Sequence, residues 1–187
     1  MPSAVIALAS MLALMSPGGS MPGPPPNLRV DPALERVVAR MWRTSPVFRA
    51  QCARIADEPT LFVAVWYDER ALHGRRRAVT TFVRHARRLV SAQVRLSRGH
   101  DPVELLAHEL EHIVEQLDGV DLSVAVLRGD QVRRARDGSF ETRRAIEAGL
   151  RVQREVRHGR GSLASADPAP DVAATHSQQR LPPLRPR

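Results

Sequence analysis

The chain has 187 residues, 43% of them hydrophobic, which allows a core of ordinary size and excludes a disordered polyelectrolyte. Its formal net charge of +8 comes entirely from arginine, because the chain contains no lysine. The arginines are scattered apart from short runs such as Arg75-Arg76-Arg77, and aromatics make up only 4%, a pattern that argues against a nucleic-acid-binding face.

From the N-terminus, Ala4 to Met15 is an uncharged apolar run too short to span a bilayer. Gly18 and Ser20 then supply the small-x-small pattern of a signal-peptidase site, so residues 1–20 read as a secretion signal lacking the usual basic start. The expectation is a secreted or periplasmic protein with no membrane span in its mature form; the alternative is a cytoplasmic one. Residues 21–30 continue a Pro- and Gly-rich stretch and read as a linker.

Asp31-Pro32 supplies a cap followed by Pro at the first helical position, and Leu34, Val37, Val38 and Met41 recur at helical spacing. Ser45-Pro46 opens a second helix to about Ile55, with Phe48 and Cys52 on one face. Cys52 is the only cysteine, which excludes an intrachain disulfide and a cysteine-based zinc knuckle. Three strands are predicted next, at Leu61 to Tyr67, Ala78 to His85 and Leu89 to Leu96. In the last, Val90, Ala92, Val94 and Leu96 alternate with polar neighbours, as in a half-buried strand.

The best-signalled element follows. Asp101 caps, Pro102 takes the first helical position and Glu104 the third, and Asp118-Gly119 stops the helix after Leu117. Leu106, Leu110, Ile113 and Leu117 form its predicted buried stripe. A loop or hairpin with a turn at Asp137-Gly138 comes next, then a helix from Phe140 to Val156. Residues 158–187 are rich in Pro, Ser and Arg without periodicity and are expected to be disordered. Residues 31–157 therefore form the predicted domain.

His108 and His112, four apart on the capped helix, project both imidazoles from one face, where they can ligate a single zinc ion. Glu109 lies next to them around the helix, close enough to reach a metal-bound water as its general base. The His-Glu-x-x-His pattern arises by accident in roughly one chain in a hundred of this composition, so its setting inside a capped amphipathic helix matters. Glu141 is the first choice for a third ligand, because Ala145, Ala148 and Gly149 one turn on would let its helix approach closely. The plainer role for Glu141 is to complement a helix N-terminus. Glu147 is the second candidate; His158 falls beyond the predicted helix. Glu111 and Glu115 read as solvated surface charges, and His73, His85, His100 and His176 as exposed residues.

The block LLAHELEHIVEQLDGVDL (Leu105 to Leu122), followed by FETRRAIEAG (Phe140 to Gly149), resembles the zincin metallopeptidases and is most similar to minimal single-domain gluzincins. The resemblance covers residues 31–156. It implies an α+β fold: N-terminal helices, a short, mostly antiparallel sheet, the active-site helix, and a C-terminal helix carrying the third ligand. It further implies zinc on His108, His112 and Glu141, Glu109 as catalytic base, and a peptide or protein substrate lying along the strand Leu89 to Leu96. Two departures stand out. The position four after the ligand Glu is Ala145, where many members place an Asp, leaving Glu115, Asp118 or Asp121 to support a ligating histidine. No Tyr or His occurs between His112 and His158 to meet an oxyanion, leaving Arg143, Arg144 or Tyr67. The expected function is a zinc-dependent metallopeptidase; the alternatives are a catalytically inactive zinc-stabilised binding domain and an intracellular DNA-associated protease.

Overall fold

Pro at the first helical position marks the start of three helices in the computed structural model, which describes residues 23–68, 77–129, 131–134 and 139–164. A short strand β1 (Leu28–Val30) leads into α1 (Pro32–Thr44), where the Asp31 carboxylate accepts from the Ala33 N–H at 2.7 Å. Ser45 ends α1 and starts α2 (Pro46–Ala56), its hydroxyl accepting from the Phe48 N–H at 3.0 Å. Strands β2 (Phe62–Tyr67), β3 (Ala78–His85) and β4 (Arg88–Leu96) precede α3 (Pro102–Leu117). The short α4 (Leu122–Arg128), the hairpin β5 (Val132–Arg134) and β6 (Phe140–Thr142), and the long α5 (Arg143–Ala164) complete the order.

The main sheet runs β1-β2-β4-β3. β1 and β4 both lie parallel to β2, and only β3 and β4 pair antiparallel. The mostly antiparallel sheet expected from the sequence is thus corrected to a mixed one; the α+β class stands. β1 also lies within the stretch read as a linker. It is held there because its backbone pairs with β2 in register, Leu28 with Val63 and Val30 with Val65. β4 is central, which removes it from the substrate-side role the resemblance implied. The edge of the sheet on that side is β3.

One face of the sheet is the core face. Val63, Val65, Ala92, Val94 and Leu96 are buried there, together with Leu106, Leu110 and Ile113 of α3 and Leu34, Met41, Phe48 and Ile55 of α1 and α2. These side chains make one continuous cluster that α5 extends with Val152 and Val156. α3 therefore lies between the sheet and the other helices, and 12 of its 16 residues are buried.

Two predicted boundaries move. The last helix starts at Arg143 and not at Phe140, because the Thr142 hydroxyl accepts from the Ala145 N–H at 3.0 Å and caps it. It continues to Ala164, past the predicted end at Val156 and into the segment read as disordered. The predicted hairpin between α3 and α5 is present as β5 and β6, whereas α4 was not foreseen; Asp121 accepts from the Val124 N–H at its start. The segment read as a secretion signal, the turn expected at Asp137-Gly138, His73, His176 and the remainder of the C-terminal tail lie outside the described residues. Among those described, no helix is long and apolar enough to cross a membrane.

Candidate metal centre

α3 places His108 and His112 one turn apart, with ring centroids 4.9 Å from each other and ring planes at 81°. Their Nε2 atoms face each other at 3.2 Å. Glu141 reaches the same point from β6, its Oε2 lying 3.3 Å from His108 Nε2. Each of the three residues offers one ligand atom, all within 4.8 Å of one another, and together they could hold a metal ion. The fit is quantitative at two edges. Bonds of about 2.0–2.1 Å at tetrahedral angles separate neighbouring ligand atoms by about 3.3 Å.

The tautomers point the same way. His112 Nδ1 lies 2.9 Å from a Glu115 carboxylate oxygen, and donation of the Nδ1–H there leaves Nε2 as a lone pair aimed at the cluster. Burial would lower the His112 pKa, but the hydrogen bond to Glu115 and the charges of Glu109, Glu115 and Glu141 outweigh it and raise the pKa above its ordinary value. Glu141 moves the other way. The hydrogen bond with His108 leads, and it prevails over burial to hold the carboxyl below the usual range.

Glu109 does not join the ligand group. It projects toward the edge strand, where the Thr80 hydroxyl donates to its Oε2 at 2.6 Å. Burial pushes the Glu109 pKa up, against the lowering influence of His112, Thr80 and His108. A carboxyl raised in this way, beside a candidate metal site and facing a cleft, is suited to pick up and release a proton. That cleft, of about 320 Å³, opens between β3, α3 and β6 and is lined by Thr80, Glu109, His112 and Glu141 among others.

The approach of Glu141 depends on the helix that follows it. At Gly149 of α5 an added Cβ would stand 2.9 Å from the Glu104 carbonyl oxygen and 3.2 Å from His108 Cβ. Ala145 and Ala148 are buried beside it, so the close approach foreseen from these small residues is present. The carboxylate itself comes from the strand before the helix, one residue ahead of the Thr142 cap. Thr142 was the legible signal for that boundary.

Other sequence-based choices fall elsewhere. Glu147 pairs with Arg143 at the surface, and His85, His100 and His158 are exposed and outside the cluster. Glu111 and Glu115, read as solvated, are both buried. Glu111 accepts from Gln51 at 2.7 Å and from Arg144 at 2.6 Å, which ties α2 and α5 to α3. α3 carries no arginine in an arginine-rich chain, and Glu111 finds its partners on other elements, whereas Glu115 pairs with His112 of the same helix. Asp118 pairs with Arg54 and Arg144, leaving Glu115 as the support for His112. Arg144 is thereby committed away from the cleft, and Tyr67 stacks against the Arg98 guanidinium at 4.4 Å.

Comparison with protein-family models, curated proteins and solved structures returns no match. The chemistry of the site therefore stands on the residues alone.

Proposed function

We propose that the chain is a zinc-dependent metallopeptidase in which His108, His112 and Glu141 hold the metal and Glu109 is the general base. The observation that carries this reading is the convergence of three ligand atoms within 4.8 Å of one another, two of the three separations at tetrahedral spacing, beside a cleft that also contains the Glu109 carboxylate. Zinc is favoured by the donor set of two imidazoles and one carboxylate, and three protein ligands suit a catalytic site, whereas structural zinc sites take four. A bound zinc ion would supply Lewis acidity, polarising a carbonyl and making water nucleophilic near neutral pH.

The remaining roles belong to the chain. Glu109 takes a proton from the attacking water and delivers it to the leaving amine. Thr80 fixes one oxygen of that carboxylate, and Glu115 fixes the tautomer of His112. The edge strand β3 is available to align an extended peptide by backbone pairing, since its partner on one side is β4. The apolar run with a small-x-small site in residues 1–20 supports a secreted or periplasmic setting.

Glu109→Gln tests the central role. The variant is expected to keep stoichiometric zinc while peptide-library cleavage falls by about 10²–10⁴-fold. Cleavage at the wild-type rate would remove Glu109 from the mechanism.

A further inference from the structure

The walls of the cleft differ in character from its floor. Ala78 and Phe82 flank Thr80 on β3 at two-residue spacing, so all three side chains share one face of the strand. Phe140 immediately precedes Glu141 on β6, and Leu122, only 8% exposed, opens α4. All four apolar residues line the cleft that contains Glu109, His112 and Glu141. Three separate elements thus bring apolar groups to one point beside the candidate metal centre.

We propose that this cleft receives an apolar side chain of the substrate, adjacent to the bond that is cut, and that Phe82, Leu122 and Phe140 set the preference. The inference rests on the metal reading above and adds a substrate class to it. Among the described residues, the charged groups lining the cleft are those of the centre itself, Glu109, His112 and Glu141. An anionic substrate side chain there would face the Glu109 and Glu141 carboxylates, and a cationic one would lose hydration against the apolar walls to meet carboxylates already engaged by Thr80 and His108. A leucine-, methionine- or phenylalanine-sized group would instead exchange water for contact over most of its surface. The volume of about 320 Å³ is at the small end of ligand pockets, which fits one large side chain and not an extended set.

The test uses hydroxamate probes on the full chain loaded with cobalt, whose visible absorption reports both metal binding and probe binding. Acetohydroxamate, 4-phenylbutanohydroxamate and 6-aminohexanohydroxamate share the chelating group and differ in what they place beside it. The phenyl probe is expected to bind at least about tenfold more tightly than acetohydroxamate. Leu122→Asn and Phe140→Ser should each reduce that ratio, and the cobalt spectrum of each variant shows that its centre has formed. Equal affinities, or tighter binding of the amino probe, on an intact cobalt spectrum would overturn the apolar cleft while leaving the metal reading in place. Failure of the wild-type chain to develop a cobalt spectrum would overturn the metal reading, and this inference with it.

Discussion

The candidate centre draws on two regions of opposite character. α3 is buried along most of its length, and its polar side chains are held from several sides: Glu109 by Thr80, Glu111 by Gln51 and Arg144, His112 by Glu115. The described residues of α4, β5 and β6 are on the whole more exposed. Leu127 there is 87% exposed, and the Glu141 side chain is 46% exposed. Two ligand positions therefore belong to the interior, where moving them disturbs the core, and one to a hairpin that can be altered without disturbing it. On the proposed reading, the difference makes stability and metal affinity separable at this site.

The largest expected effect breaks that comparison directly. In chelator, His112→Ala should destabilise the metal-free chain by about 1–3 kcal/mol, since the buried Glu115 carboxylate loses its partner. Glu141→Ala should change it by no more than about 0.5 kcal/mol, as expected of a half-exposed side chain. Thermal unfolding of both variants decides; equal losses would refute the division.

Next in size is Glu115→Gln, which preserves shape but weakens the hold on His112. Zinc affinity should fall about 10–100-fold by competition with a chromophoric chelator. An unchanged affinity would make Glu115 a partner of the fold only.

Gly149→Ala sharpens the comparison at the contact between α3 and α5. Helix propensity favours Ala by about 1 kcal/mol, whereas overpacking against a backbone carbonyl costs about 1–3 kcal/mol. A net loss of up to about 2 kcal/mol is expected in denaturant unfolding; a gain would mean that α5 moves away freely.

The smallest effect is one of pH. His112 has its folded pKa raised, so its contribution to stability is fully present below its ordinary value of about 6.5 and is lost as pH rises through the raised one. Zinc requires the neutral ring, so its affinity should climb over the same window. Glu141, held below the carboxylate range, stays ionised throughout and adds nothing to the slope. Unfolding in chelator and zinc competition, each scanned across that window, should therefore run in opposite directions; parallel curves would contradict the assigned partners of His112.

Much of this was legible locally. Asp101-Pro102 and Asp118-Gly119 bracket α3, with Gly119 in the left-handed conformation at φ 78°, so the helix bearing His108, Glu109 and His112 could be read to its ends. Sheet direction could not, because alternation marks a strand without naming its neighbour; β2 joins β4 in parallel through pairings that no local pattern encodes. The burial of Glu111 and Glu115 was hidden for a related reason. Helical periodicity reports one apolar stripe, whereas α3 is covered by a sheet and by other helices, and Glu111 is satisfied by residues as distant in sequence as Gln51 and Arg144. Glu141 was chosen from the sequence as a helical residue; Thr142, a capping residue type just before two arginines, places it on the strand instead.

The most direct test is the zinc content of the purified chain by mass spectrometry, with His112→Ala and Glu141→Ala prepared in parallel. Stoichiometric zinc in the wild type, lost from both variants, is the expected result. A wild-type chain that takes up no zinc even after reconstitution would contradict the metal centre and reduce the His-Glu-x-x-His pattern to a coincidence of composition.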